Sequence, residues 1–171
     1  DDRVATVTLN RPETGNRIEH RFHAELQDIW VDLLRDKEVN AILLTGSGRY
    51  FSVGGNIKGM QDRPGGDVFE EGEMLEPSGG RRIVQNILDC EKPVIAAVGG
   101  TAAGIGAHIA LACDLVVAAD NVRFIEVFVR RGLVPDGGGA YLLPRQIGVR
   151  RTKELLFFGD DLSATEAAEI G

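Results

Sequence analysis

An α/β domain built on a largely parallel sheet is predicted by three features of the chain. Apolar runs at residues 41–45, 94–98 and 115–118 have the length and β-branched content of buried strands. The segments between them carry apolar residues at helical spacing, so consecutive strands are joined by helical crossovers rather than hairpins. Finally, the first two runs are each followed by a glycine-rich turn, Gly54-Gly55 and Gly104-Ile105-Gly106, which is how such a sheet hands its strands over to helices.

The elements follow in order. Ala5, Val7 and Leu9 place apolar side chains on one face of a first strand, which Asn10-Arg11-Pro12 ends because proline has no N–H for a ladder. Phe22, Leu26, Ile29, Trp30, Leu33 and Leu34 then define an amphipathic helix. Residues 41–45 are apolar almost throughout, as expected of a strand covered on both faces. From 61 to 80 the composition turns to Gly, Glu, Asp and Pro without periodicity and reads as a loop or lid. Ile83, Val84, Ile87 and Leu88 mark the next helix, which Lys92-Pro93 stops before the strand at 94–98. Residues 105–113 form an alanine-rich helix, 115–118 the next strand, and Ser163-Ala164-Thr165-Glu166 is a capping box opening a helix with little left to pack on.

Composition bounds the function. The chain has 171 residues, 43% of them hydrophobic and 26% charged, the make-up of one globular domain. A formal charge of -7 and the lack of any basic block exclude a nucleic-acid surface, Arg81-Arg82 and Arg130-Arg131 being only pairs. Cys90 and Cys113 have neither metal-ligand spacing nor disulfide density and read as reduced thiols. No stretch approaches the roughly 18 apolar residues of a membrane span, and the acidic start is unlike a signal peptide. A soluble, cytoplasmic protein without metal or membrane partner is the expectation.

The two glycine turns carry the chemistry. Each presents a bare backbone N–H after a buried strand, and two such donors converging on one atom form an oxyanion hole. Ile105 adds the positive end of a helix, where unsatisfied N–H groups point. Either turn alone is equally a tight strand-to-helix connection.

Their flanks narrow the reading. Leu9-Asn10-Arg11-Pro12, Leu43-Leu44-Thr45-Gly46, Phe51-Ser52-Val53-Gly54-Gly55, Lys92-Pro93-Val94-Ile95-Ala96-Ala97-Val98, Cys113-Asp114-Leu115 and Gly132-Leu133-Val134-Pro135-Asp136-Gly137-Gly138-Gly139 resemble, in order and spacing, the enoyl-CoA hydratase/isomerase or crotonase superfamily. The resemblance implies a crotonase (ClpP-like) spiral of repeated ββα units with two roughly perpendicular sheets. It makes residues 1–171 the acyl-CoA-binding core and implies a further C-terminal helical region, outside this chain, that builds homotrimers or hexamers. Coenzyme A would enter only as part of the thioester substrate, with no separate cofactor.

Residue by residue, the resemblance places the thioester oxygen between the N–H groups of Gly55 and Ile105. Gly55, Asn56, Ile57 and Lys58 would line the substrate path, with Lys58 near a CoA phosphate, and Phe128 would wall the pocket. Two positions depart from the common pattern, Asn56 standing for an Asp and Ile105 for a glycine; neither removes a backbone donor. His108 falls at the first hydratase glutamate and Phe128 at the second, so two-glutamate hydration is not expected. Asp136 falls where isomerases of the superfamily carry a proton-shuttling aspartate.

Asp136 and His108 are thus the candidate catalytic residues. Asp136 as a helix cap or turn residue, His108 as a packing residue, and Glu126 as a displaced carboxylate all remain open. The reactions implied are double-bond isomerisation or atypical hydration. A silent acyl-CoA-binding paralogue and a hydrolase or decarboxylase of the same superfamily stay as alternatives.

Overall fold

A computed structural model of the chain describes residues 3–56 and 80–171. In order, these form β1 (Val4–Leu9), a 3-10 turn (Pro12–Thr14), α1 (His20–Arg35), β2 (Ala41–Gly46), β3 (Tyr50–Ser52), α2 (Gly80–Leu88), β4 (Val94–Val98) and β5 (Thr101–Ala103). There follow α3 (Ile105–Leu111), β6 (Leu115–Ala118), β7 (Arg123–Ile125), a 3-10 turn (Val129–Arg131), α4 (Gly139–Phe158, broken at Gly148), β8 (Asp161–Ser163) and α5 (Ala164–Ile170). The lid expected over 61–80 lies outside the described residues except for Gly80, which opens α2.

The strands divide between two four-stranded sheets, ordered β1-β2-β4-β6 and β3-β5-β7-β8. The first is parallel throughout, with Val4 opposite Ala41, Ile42 opposite Val94 and Ile95 opposite Leu115. The second is parallel until β8, which returns antiparallel against β7. The chain alternates between sheets, β2 to β3, β4 to β5 and β6 to β7, before each return. Each coil therefore gives one strand to either sheet.

Expected strands at 94–98 and 115–118 coincide with β4 and β6. The alternation in β1 holds, Leu9 being fully buried while Thr6 and Thr8 face solvent. β2 buries Ile42 and Leu44 completely but leaves their neighbours half-buried, so its two faces are covered unequally. β6 departs further: as the edge strand it leaves Leu115 and Val117 exposed. Leu34 and Leu88, expected on apolar helix faces, are exposed too, and α2 ends at Leu88 rather than running to Lys92-Pro93. α5 packs more than expected, since Ala164 rests against the core, and its Ser163–Glu166 capping box is formed.

One core underlies both sheets. Phe22, Leu26 and Trp30 of α1 join Ile83, Val84 and Ile87 of α2, the two helices pack on each other, and Ile42 and Leu44 of β2 and Val94, Ala96 and Val98 of β4 belong to the same cluster. Full burial of each such side chain is worth about 1.5–3 kcal/mol. Lys92 donates from Nζ to the carbonyls of Leu33 and Asp36, satisfying the C-terminal end of α1. Asp114 accepts the Val94 N–H at 2.8 Å, which ties the start of β4 to the start of β6 and gives the Cys113-Asp114-Leu115 motif a structural purpose. Cys113 is buried, its thiol pushed up to about 12 by burial and by the Asp114 carboxylate, and is therefore unreactive.

Asn16 is the polar keystone. Fully buried and at φ 55°, it donates from Nδ2 to Ser47 O (2.9 Å) and Tyr50 O (2.8 Å), while Oδ1 accepts from Arg11 N (2.8 Å). It thereby joins the turn after β1 to the connection between β2 and β3. Asn16→Ala strands all three partners and adds backbone strain, so it is expected to destabilise the fold by about 2–4 kcal/mol in urea unfolding. A loss below about 0.5 kcal/mol would mean that water replaces the amide.

Candidate active site

The two glycine turns abut. β3 and β5 are neighbours in the second sheet, so the segments leaving their C-terminal ends emerge side by side. Gly54 has φ 86°, and a Cβ there would lie 2.8 Å from Ala103 O and 3.7 Å from Ile105 N. Gly104, at φ 53° and ψ -129°, occupies backbone space open essentially to glycine alone. Buried Ser52 fixes the first turn, donating to Asn16 O at 2.9 Å and accepting from Gly54 N at 3.3 Å. Ile18 N–H bonds Gly54 O at 2.8 Å, on the opposite side of this segment's ladder from the Gly55 N–H. Ile105 opens α3, where its N–H has no acceptor within the helix.

Beyond the turns, α3 carries His108, fully buried and stacked on Phe128 with ring centroids 5.3 Å apart and planes within 10°. Phe128 is itself buried and also covers Gly104, so most of the ring expected to wall the substrate pocket supports His108 and the second turn. The glycine run after Asp136 is equally close. A Cβ on Gly139 would sit 2.1 Å from His108 Nε2, and one on Gly137 would sit 3.4 Å from Nδ1 and 3.0 Å from the Ile105 side chain. The turn bearing Asp136 is therefore pressed onto both His108 and Ile105.

Asp136 is exposed, and solvent reaches it from one side. The protein around the carboxyl nevertheless removes enough water to raise its pKa above the ordinary aspartate value. The residue's own N–H opposes that rise, whereas Glu126 adds to it. The cap reading of Asp136 is not observed: Gly138 is the N-cap of α4 without any side-chain cap bond, and Gly139 N–H bonds only the Asp136 carbonyl, at 3.1 Å. Among the described residues the carboxylate is given no hydrogen bond beyond that to its own N–H.

Glu126, open in the sequence as a displaced carboxylate, is buried just beyond β7 with Oε1 and Oε2 at 3.1 and 3.0 Å from His108 Nε2. Its outer side lines a groove of about 720 Å³ with Leu143, Leu155, Leu162 and Ile170, away from both glycine turns. Only the pairing of the sole histidine on α3 with a nearby apolar-flanked glutamate hinted at this contact.

Gly55 and Asn56 are half-buried at the end of the first turn, and Ile57 and Lys58 lie outside the described residues. Among the described residues no group of three or more His, Cys, Asp or Glu is placed to hold a metal ion, and no helix is long and apolar enough to cross a membrane.

Comparison with known proteins agrees with this fold. The family described as enoyl-CoA hydratase/isomerase matches residues 1–171. The chain is 40% identical over 168 residues to the 1,2-epoxyphenylacetyl-CoA isomerase of Escherichia coli, covering 98% of itself and 64% of that protein. It is 41% identical over 172 residues to a probable enoyl-CoA hydratase of Rhodobacter capsulatus, covering 98% of itself and 63% of that protein. The crystal structure of an enoyl-CoA hydratase from Bacillus anthracis superposes with a TM-score of 0.90 at 32% identity, over 99% of this chain and 64% of that one. The chain thus spans just under two thirds of the length of these relatives.

Proposed function

The chain belongs to the enoyl-CoA hydratase/isomerase family, and from that premise we propose that it moves the double bond of an enoyl-CoA thioester with Asp136 as the proton carrier. One observation carries the choice of isomerisation over hydration. Of the two carboxylates near the glycine turns, Glu126 is buried against His108 Nε2, whereas Asp136 is exposed on a turn whose next residue, Gly137, packs against the Ile105 side chain. Hydration across a double bond calls for two groups to orient and activate water; a single base suffices to carry a proton between two carbons.

In this reading the thioester oxygen accepts hydrogen bonds from the N–H groups of Gly55 and Ile105. The Asp136 carboxylate takes a proton from C2 of a 3-enoyl thioester, and the C–H electron pair passes into the carbonyl to give a dienolate held by those donors. The Asp136 carboxyl then returns the proton to C4 as the electrons flow back, which leaves the double bond between C2 and C3 and the enzyme unchanged. Gly55 and Asn56, continued by Ile57 and Lys58, line the thioester path, with Lys58 meeting a CoA phosphate. Residues 1–171 act as the acyl-CoA-binding core of a cytoplasmic homotrimer or hexamer, and coenzyme A comes only with the substrate.

The test is product analysis. Intact protein incubated with 2-enoyl, 3-enoyl and dienoyl thioesters in deuterated water is expected to leave deuterium at C2 or C4 and to add no hydroxyl. A hydroxyacyl product would identify a hydratase; thioester binding with no product from any member of the panel would identify a silent paralogue.

A further inference from the structure

The contact between Glu126 and His108 reaches beyond the residues that reading uses, although it rests on that reading for its catalytic meaning. We propose that Glu126 is a positioning residue that holds His108 as the Nε2–H tautomer, so that the bare Nδ1 serves as the hydrogen-bond acceptor at the turn bearing Asp136.

The geometry is specific. Both Glu126 oxygens lie within 3.1 Å of Nε2, and an ionised carboxylate can only accept, so Nε2 carries the proton. A second proton on Nδ1 would leave a buried donor of a charged ring with no acceptor, so Nδ1 is the lone-pair nitrogen. It is buried and has no hydrogen-bond partner among the described residues, an exception that a structure tolerates chiefly where a function uses it. The position of a Cβ on Gly137, 3.4 Å away, shows which element it faces. Phe128 clamps one ring face and the glycine backbone at 137–139 crowds the ring, so the imidazole cannot turn over without moving both.

The consequence is electrostatic. The titratable groups facing the imidazole are Glu126 from the segment after β7 and Asp136 from the turn before α4; the rest of α3 contributes none. With Nε2–H directed to Glu126, His108 stays an acceptor toward the Asp136 turn and favours a carboxyl that has just taken up a proton. In the other tautomer His108 would present a donor there, favouring carboxylate and weakening the base.

The test measures the tautomer first and turnover second. Nitrogen NMR of the intact protein with labelled histidine is expected to show His108, among the three histidines, protonated at Nε2 and bare at Nδ1. Glu126→Gln, whose amide can donate as well as accept, is expected to mix the tautomers and lower kcat by about 10–100-fold, the usual effect of removing a residue that orients a functional histidine. KM should change by no more than about twofold. Glu126→Asp is expected to recover the Nε2–H signature and part of kcat, and it replaces the glutamine variant if that one fails to fold. An Nδ1–H signature in the unaltered protein, or an unchanged signature and kcat in a folded glutamine variant, overturns the proposal. Absence of turnover on every thioester would remove the isomerase reading while the tautomer measurement still decides the role of Glu126.

Discussion

Asp136→Asn is expected to lower kcat for double-bond migration by about 10²–10⁴-fold, the range general acid–base groups contribute, with little change in thioester binding. The amide keeps the shape of the turn, and because the side chain caps nothing, the helix behind it should be undisturbed. The same substitution should raise Tm near neutral pH. Asp136 has a folded pKa above its unfolded value, so between the two the native state binds more protons than the unfolded chain, and stability falls as pH rises through that window. Above it the protein bears the full penalty of a poorly solvated carboxylate, which asparagine removes. The gain should disappear below the ordinary aspartate range, where both states are protonated. Activity should follow the opposite course, appearing as the carboxyl ionises, with its acid limb above the range of a free aspartate. Paired kcat and thermal-melt profiles against pH check all of this; unchanged turnover in Asp136→Asn, with loss in His108→Ala, would move the base to the histidine.

Ile105→Pro is expected to lower kcat by about 10²–10³-fold, the effect of deleting one preorganised oxyanion donor, worth about 3–4 kcal/mol. Proline removes the one atom at issue, the backbone hydrogen, at a position where a helix accepts it: Ile105 is the first residue of α3, directly after the N-cap Gly104. Gly104, lacking a Cβ, spares the residue before proline its usual steric conflict. Ile105→Val keeps the N–H and most of the packing against Gly137, so it should stay within about threefold of the parent if the side chain merely fills space. Equal losses in the two variants would place the effect in packing and not in the donor.

Much of this was legible in the residues. β4 and β6 could be read to the residue because five and four consecutive apolar positions between turn signals leave little choice of register, and the Ser163–Glu166 box announced its helix by local chemistry alone. The strands of the second sheet were invisible for the converse reason: β3, β5 and β7 are three residues each, too short for periodicity, and two of them run straight into glycine turns. Exposure of β6 depends on its place at the sheet edge, which no property of Leu115-Val116-Val117 encodes. At the site, Gly55, Ile105 and Asp136 are candidates that their motifs alone single out. What Glu126 does with His108 was not legible, because the pair is brought together by the coil of the chain, 18 residues apart, and not by any local pattern.

Alternation between the two sheets also makes the site a set of separately replaceable parts. The coil through β2 and β3 carries Gly55, the coil through β4 and β5 carries Ile105 and His108, the coil through β6 and β7 carries Glu126 and Phe128, and the entry to α4 carries Asp136. Since the short strands are joined mainly by backbone hydrogen bonds, a side chain can change on one storey without shifting the register of the next. Side chains on the helix after β5, on the segment after β7 and on the entry to α4 can then be exchanged while the backbones at Gly55 and Ile105 stay where their turns put them.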